Sequence, residues 1–284
     1  MSPARQTVTV VTDSTADIPA ALARSLGIRV VPLSVQFGEQ TFLDGIELSA
    51  AEFLAKLVTS SELPKTSQPP TTAFESIFRE EVDAGRQVVC LTIASRLSGT
   101  FNSARLAAEA VAPDRIHVVD SGTVTMHLGW GAVVAATEGA GADADQVIAA
   151  ARGAIARGHL YALLETLEYV YRGGRIGKAA QVFGSVLAIK PILTVRDGEV
   201  TPLERVRTWR KALDRMAELA RGHAPLDSLA ILHAGNPTDA AALADRLSDL
   251  VPPERLVTAE AGPVISTYAG PGAVGVMPLS IATQ

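Results

Sequence analysis

Short apolar runs of strand length alternate with stretches of helical period through the first half of the chain. Thr7–Thr12 (TVTVVT) predicts a buried strand, followed by a turn at DSTADIP and a short helix closing at Gly27. Ile28–Val35 predicts a second strand, Gln87–Ile93 a third and Arg115–Val119 a fourth. Helices are predicted from Ser49, from Thr72, and over Gly99–Val111, Thr125–Gly139 and Ala144–Arg157. Ser49 with Glu52, and Thr72 with Glu75, have capping-box spacing, in which each side chain satisfies the other's backbone donor. A β-then-α rhythm builds a parallel sheet with helices on both faces, and ligands bind such sheets at the carboxyl ends of the strands.

The second half is patterned differently. Leu160–Val170 reads as a strand and a short helix, followed by the Gly-rich turn YRGGRIGK and an apolar helix over Ala179–Ile189. Pro191–Val195 and Glu199–Val206 flank Asp197-Gly198 and predict a hairpin. A helix over Thr208–Ala220, a strand at Ser228–His233, a helix over Thr238–Leu250 and a strand at Arg255–Glu260 complete a second α/β unit. The pattern predicts two domains, 1–159 and 160–284, with a boundary near Arg157–Leu160.

Composition narrows the function classes. Hydrophobic residues are 48% and charged residues 19% of 284, enough for a large core and against disorder. A net charge of −5 argues against a nucleic-acid binder, and 5% aromatics against single-strand stacking. The lone Cys90 lies in an apolar run and reads as a small core residue in a reducing compartment. The chain shows neither an apolar leader nor a run of about 18 apolar residues, so a cytoplasmic protein without a membrane span is expected.

Candidate chemistry centres on hydroxyls and one basic turn. Thr12-Asp13-Ser14, Ser95–Thr100 and Asp120–Thr123 end predicted strands, and Pro64–Pro70 is a proline-stiffened loop with Thr66 and Ser67. Around Gly173, Gly174 and Gly177, two arginines and a lysine gather positive charge near backbone N–H groups, which suits an anion at the start of the apolar helix. That helix would carry Ala179, Val182, Phe183, Val186 and Leu187 on one face. Gly270–Gly275 matches a dinucleotide fingerprint as a string, but only nine residues follow it, too few for the required helix. The turn at Lys178 lacks P-loop spacing, and neither HExxH nor paired cysteines offers a metal site. Ser98 is a candidate nucleophile for an acyl hydrolase or transferase, although the G-x-S-x-G elbow is absent and the five histidines are scattered.

Taken in order, these motifs resemble the DegV family of fatty-acid-binding proteins, which includes the FakB-type subunits of bacterial fatty acid kinase. The resemblance rests on Thr12-Asp13-Ser14, Thr66-Ser67-Gln68-Pro69, Leu97–Thr100 (LSGT), Val118–Ser121 (VVDS), Leu167–Ile176 (LEYVYRGGRI), Lys190–Leu193 (KPIL) and Gly270–Gly275 (GPGAVG). It implies a two-domain α/β fold, an N-terminal parallel sheet flanked by helices plus a second domain with a mixed sheet, and a long-chain fatty acid between the domains. It further implies that Thr66 and Ser98 hold the carboxylate. Ser95, Arg175, Arg207 and Tyr268 would stand near the head-group opening, toward the phosphate or a partner. The partner is a separate fatty acid kinase catalytic subunit; the chain itself carries no catalytic residue and needs no metal or cofactor beyond the lipid. Tyr268 stands where that family usually has a histidine, and tyrosine donates a hydrogen bond without a cationic form.

Overall fold

The computed structural model describes residues 8–60, 62–139, 141–182 and 189–282. In chain order they form β1 (Val8–Asp13), α1 (Ala20–Ser25), β2 (Arg29–Val31), β3 (Ser34–Phe37), β4 (Gln40–Leu43) and α2 (Ala50–Thr59). Next come β5 (Lys65–Ser67), α3 (Thr71–Asp83), β6 (Gln87–Thr92), α4 (Thr100–Val111), β7 (Ile116–Asp120), α5 (Thr125–Glu138) and α6 (Ala144–Arg157). The remainder is β8 (Tyr161–Leu163), α7 (Glu168–Arg172), β9 (Lys190–Arg196), β10 (Glu199–Val206), α8 (Trp209–Arg221), β11 (Leu226–His233), α9 (Pro237–Leu247), β12 (Leu256–Glu260), α10 (Pro263–Ala269) and β13 (Val274–Ser280). The chain divides into two compact units: one runs up to Ser34 and resumes over Ser67–Ala156, and the other joins Val35–Thr66 to everything from Arg157.

The first unit carries a parallel sheet in the order β2-β1-β6-β7. Alternation along these strands feeds two cores. Val8, Val10, Val89 and Leu91 face α5 and α6, whereas Val11, Val88 and Cys90 face Phe74 and Phe78 of α3 and the alanines of α4. Both faces are covered, so the strands read as continuous apolar runs rather than alternating ones. The capping box at Ser49–Glu52 forms on α2, in the second unit. The one expected at Thr72–Glu75 does not. Extended Pro70 precedes α3 without a side-chain cap, and Glu75 pairs with Arg79 instead. The expected strand Ile28–Val35 is split at Pro32-Leu33 into β2 and β3, because proline cannot donate to a ladder.

The second unit has a mixed sheet, β10-β9-β8-β13-β11-β12, in which only the β11–β12 pairing is parallel. Leu163, Ile192, Leu229, Ile231 and Val276 pack under α8 and α9, and the opposite face buries Leu164, Leu193, Ala234 and Ala273 with Leu167 and Val170. Asp197 and Gly198 both adopt left-handed φ, 52° and 75°, closing the β9–β10 hairpin as their sequence predicts. A three-stranded sheet, β4-β3-β5, belongs to the 35–66 excursion, so the proline-stiffened loop contains a strand at Lys65–Ser67. Gly177–Val182 forms a 3-10 segment, and most of the helix expected over Ala179–Ile189 falls outside the described residues. Phe183, Val186 and Leu187 lie outside the described residues, as does the side chain of Val182.

Candidate functional site

A cavity of about 550 Å³ lies within the second unit. Its wall is built by residues 62–66 leading into β5, by Tyr169 and Arg172 of α7 with Gly173 and Arg175 just beyond, and by Thr267 and Tyr268 of α10. Pro263 at the first turn of α10 has no N–H to lose there, which suits a helix start. Thr267 spends its hydroxyl on the carbonyl of Pro263, 2.9 Å away. Tyr268 reaches out instead, and its phenol oxygen stands 2.5 Å from Oγ1 of Thr66. Both residues are half-buried, so this pair of neutral hydroxyls is partly shielded from water yet faces the cavity.

The Gly-rich turn is the seat of that tyrosine. A Cβ on Gly173 would stand 2.6 Å from Cδ1 and Cε1 of the Tyr268 ring, closer than real Cβ atoms come. Arg175 donates to the carbonyl of Gly173 at 2.9 Å and lies over the same ring, 5.2 Å from its centroid, within cation–π range. Glycine and arginine thus both pack against the ring. The turn follows the C-terminal end of α7 and leads into a 3-10 segment over Gly177–Val182. Lys65, Arg172 and Arg175 set three basic side chains against one carboxylate, Glu62, in the wall, which leaves the cavity positive. Arg172 also pairs with Glu168 at 3.2 Å on the exposed side of α7.

Thr66, Tyr268 and Arg175 are therefore brought together. Arg207 lies in the same unit, exposed on the link between β10 and α8, away from the cavity wall. Tyr169 and Lys65, not singled out in the sequence, line the cavity; Tyr169 had a signal in the repeated Tyr-x-Tyr-x-Gly spacing before Gly173.

Ser95 and Ser98 belong to the first unit, in the turn after β6. The Ser98 hydroxyl bonds Oγ1 of Thr100 at 2.8 Å and accepts from the Thr100 N–H at 3.3 Å. Exposed Ser95 gives its N–H to Asp120, which also accepts from Gly122. Asp13 is fully buried and receives the N–H of Ile93 at 2.7 Å and that of Thr15 at 3.0 Å, tying the ends of β1 and β6 together. His127, the histidine of α5, is occupied by the Thr123 hydroxyl and the carbonyl of Ile155. Among the described residues there is no grouping of three or more His, Cys, Asp or Glu side chains fit to hold a metal, and no helix long and apolar enough to cross a membrane.

The chain is similar to known proteins over almost all of its length. A DegV domain-containing protein of Streptomyces coelicolor is 41% identical over 276 residues, covering 95% of this chain and 97% of that one. A solved DegV family protein from Thermus thermophilus, described by its fatty acid binding, is 33% identical with a TM-score of 0.89, covering 96% and 99% of the two chains. DegV from Bacillus subtilis, described as a fatty acid binding protein, is 31% identical with a TM-score of 0.85 over 97% and 100%. The family model described as "Uncharacterised protein, DegV family" matches residues 7–280, and with it the chain takes its place as a member of the DegV family.

Proposed function

We propose that the protein binds a long-chain fatty acid in the cytoplasm and presents it to a separate fatty acid kinase, which phosphorylates the carboxylate. The observation that carries the reading is the Thr66–Tyr268 hydroxyl pair in a cavity whose charged side chains are mostly basic. Such a wall suits a monoanionic head group, and solved relatives of high structural similarity bind fatty acids. Thr66 and Ser98 are the hydroxyls assigned to the carboxylate, with Ser95, Arg175, Arg207 and Tyr268 serving the head group or the kinase.

Magnitudes favour a lipid carrier. A hydrogen bond to a charged group contributes about 1.5–3 kcal/mol. Burying roughly fourteen methylenes at about 0.8 kcal/mol each gives a gross of about 11 kcal/mol before the cost of association. The tail then supplies affinity and the hydroxyls supply orientation. Ser98 as a hydrolytic nucleophile is the weaker reading, because its hydroxyl is engaged by Thr100 rather than by a base.

Native mass spectrometry of protein purified without detergent, followed by lipid extraction, tests the proposal. A bound mass in the fatty-acid range supports it and names the chain. An empty protein that takes up neither oleate nor palmitate overturns it.

A further inference from the structure

Two tyrosines and two glycines interlock where α7 packs on α10. The ring of Tyr268 sits where a Cβ of Gly173 would be, and the ring of Tyr169 sits where a Cβ of Gly270 would be. Gly270 has φ of 75°, a left-handed conformation that alone favours glycine. Gly173 is different. Its φ of −73° and ψ of −7° are open to any residue, so backbone geometry gives no reason for glycine there. What excludes a side chain at 173 is the Tyr268 ring, 2.6 Å from the Cβ that alanine would bring.

The consequence reaches the head-group hydroxyls. Tyr268 bonds Thr66 at 2.5 Å, and a ring pushed off Gly173 by even a few tenths of an ångström carries its hydroxyl with it. Arg175 stiffens the arrangement, since its guanidinium is fixed to the Gly173 carbonyl and covers the ring. Resting on the fatty-acid reading above, we infer that Gly173 is a positioning residue for ligand specificity: by lacking a Cβ it seats Tyr268, which orients the Thr66 hydroxyl toward an ionised head group. Tyr268 and Gly173 thereby set preference for a free acid over its ester without adding a titrating cation.

Oleate and methyl oleate, titrated into the full chain, test the assignment. Gly173→Ala and Tyr268→Phe should each weaken oleate about tenfold, because the Thr66 hydroxyl loses its orientation toward the charged head group, and weaken methyl oleate far less. In the Tyr268→Phe background, Gly173→Ala should cost no more than about twofold further, because the hydroxyl it displaces is already gone. Equal losses for acid and ester, or additive losses in the double variant, would mean that Gly173 only packs, and would overturn the inference while leaving the carrier reading intact. Undiminished oleate binding by Gly173→Ala would do the same. A parent protein that binds neither compound would overturn both.

Discussion

The phenol oxygen of Tyr268 lies 2.5 Å from the hydroxyl of Thr66, although 202 positions separate them in the chain. One sits on a short edge strand and the other on a two-turn helix, and both open onto a cavity with basic walls. Neither hydroxyl carries charge as a cation, so the positive field comes from Lys65, Arg172 and Arg175 around the pair. Orientation and charge are thus supplied by different side chains.

The role proposed for Ser98 is separable from folding. It is half-buried in a turn, and among the described residues its Oγ bonds the neighbouring Thr100 side chain and N–H. Ser98→Ala should lower oleate affinity about tenfold, as one charged hydrogen bond predicts, with an unchanged urea midpoint. Calorimetric titration giving the parent affinity would remove Ser98 from the head-group site.

Glu81 anchors the first unit. Its side chain is 3% exposed and bonded to Thr9 at 2.6 Å, Arg86 at 2.6 Å and Arg29 at 2.6 Å. Burial alone would push its carboxyl up, but bonds from Arg86 and Thr9 with the charges of Arg86 and Arg29 hold it below the usual range. Its contribution is therefore present above about pH 4.3 and lost as pH falls through the lowered folded value. Because both guanidinia are about a third exposed, Glu81→Gln should cost about 2 kcal/mol in urea unfolding, less than a fully buried pair. A loss under about 0.5 kcal/mol would show the network to be surface decoration.

Acidification should weaken the fold through histidines. Burial pushes His127 and His223 below the usual histidine range, and the His223 ring stacks on His159 with centroids 3.6 Å apart while bonding Tyr161. A depressed folded value means that the unfolded chain takes the proton first. Stability is then full above about pH 6.5 and declines as pH drops through the folded values. Urea midpoints at about pH 7.5 and about pH 5.5 check the sign, with the lower midpoint expected in acid. A flat or rising profile would contradict it.

Cys90 should be inert. It is fully buried in β6, and burial together with the charge of Asp13 drives its thiol well above the usual range. A thiol-specific dye should react in urea and not in buffer; stoichiometric labelling of native protein would contradict the assignment.

Local chemistry was legible wherever it acted within a few residues. Asp197-Gly198 announced its hairpin, Ser49 and Glu52 their cap, and the apolar runs of β1, β6 and β7 a sheet buried on both faces. Thr72 and Glu75 show the limit: the spacing was right, but Pro70 and the Glu75–Arg79 pair offered the backbone and the carboxylate other arrangements. Lys65–Ser67 carried too few residues and too many flanking prolines to register as a strand, and nothing in the pattern marked Val35–Thr66 as packing with residues beyond Arg157.

The amino-acid order by itself determined the covered parallel sheet, the apolar cores and the ordered motifs of the DegV family, because periodicity, capping and turn preference act over distances shorter than one element. The tertiary structure alone decided that Thr66 meets Tyr268, that Gly173 makes room for the Tyr268 ring, and that Lys65 joins Arg172 and Arg175 around one cavity. Those are contacts between residues far apart in the chain, and they exist only once burial within the second unit has fixed where its strands and helices end.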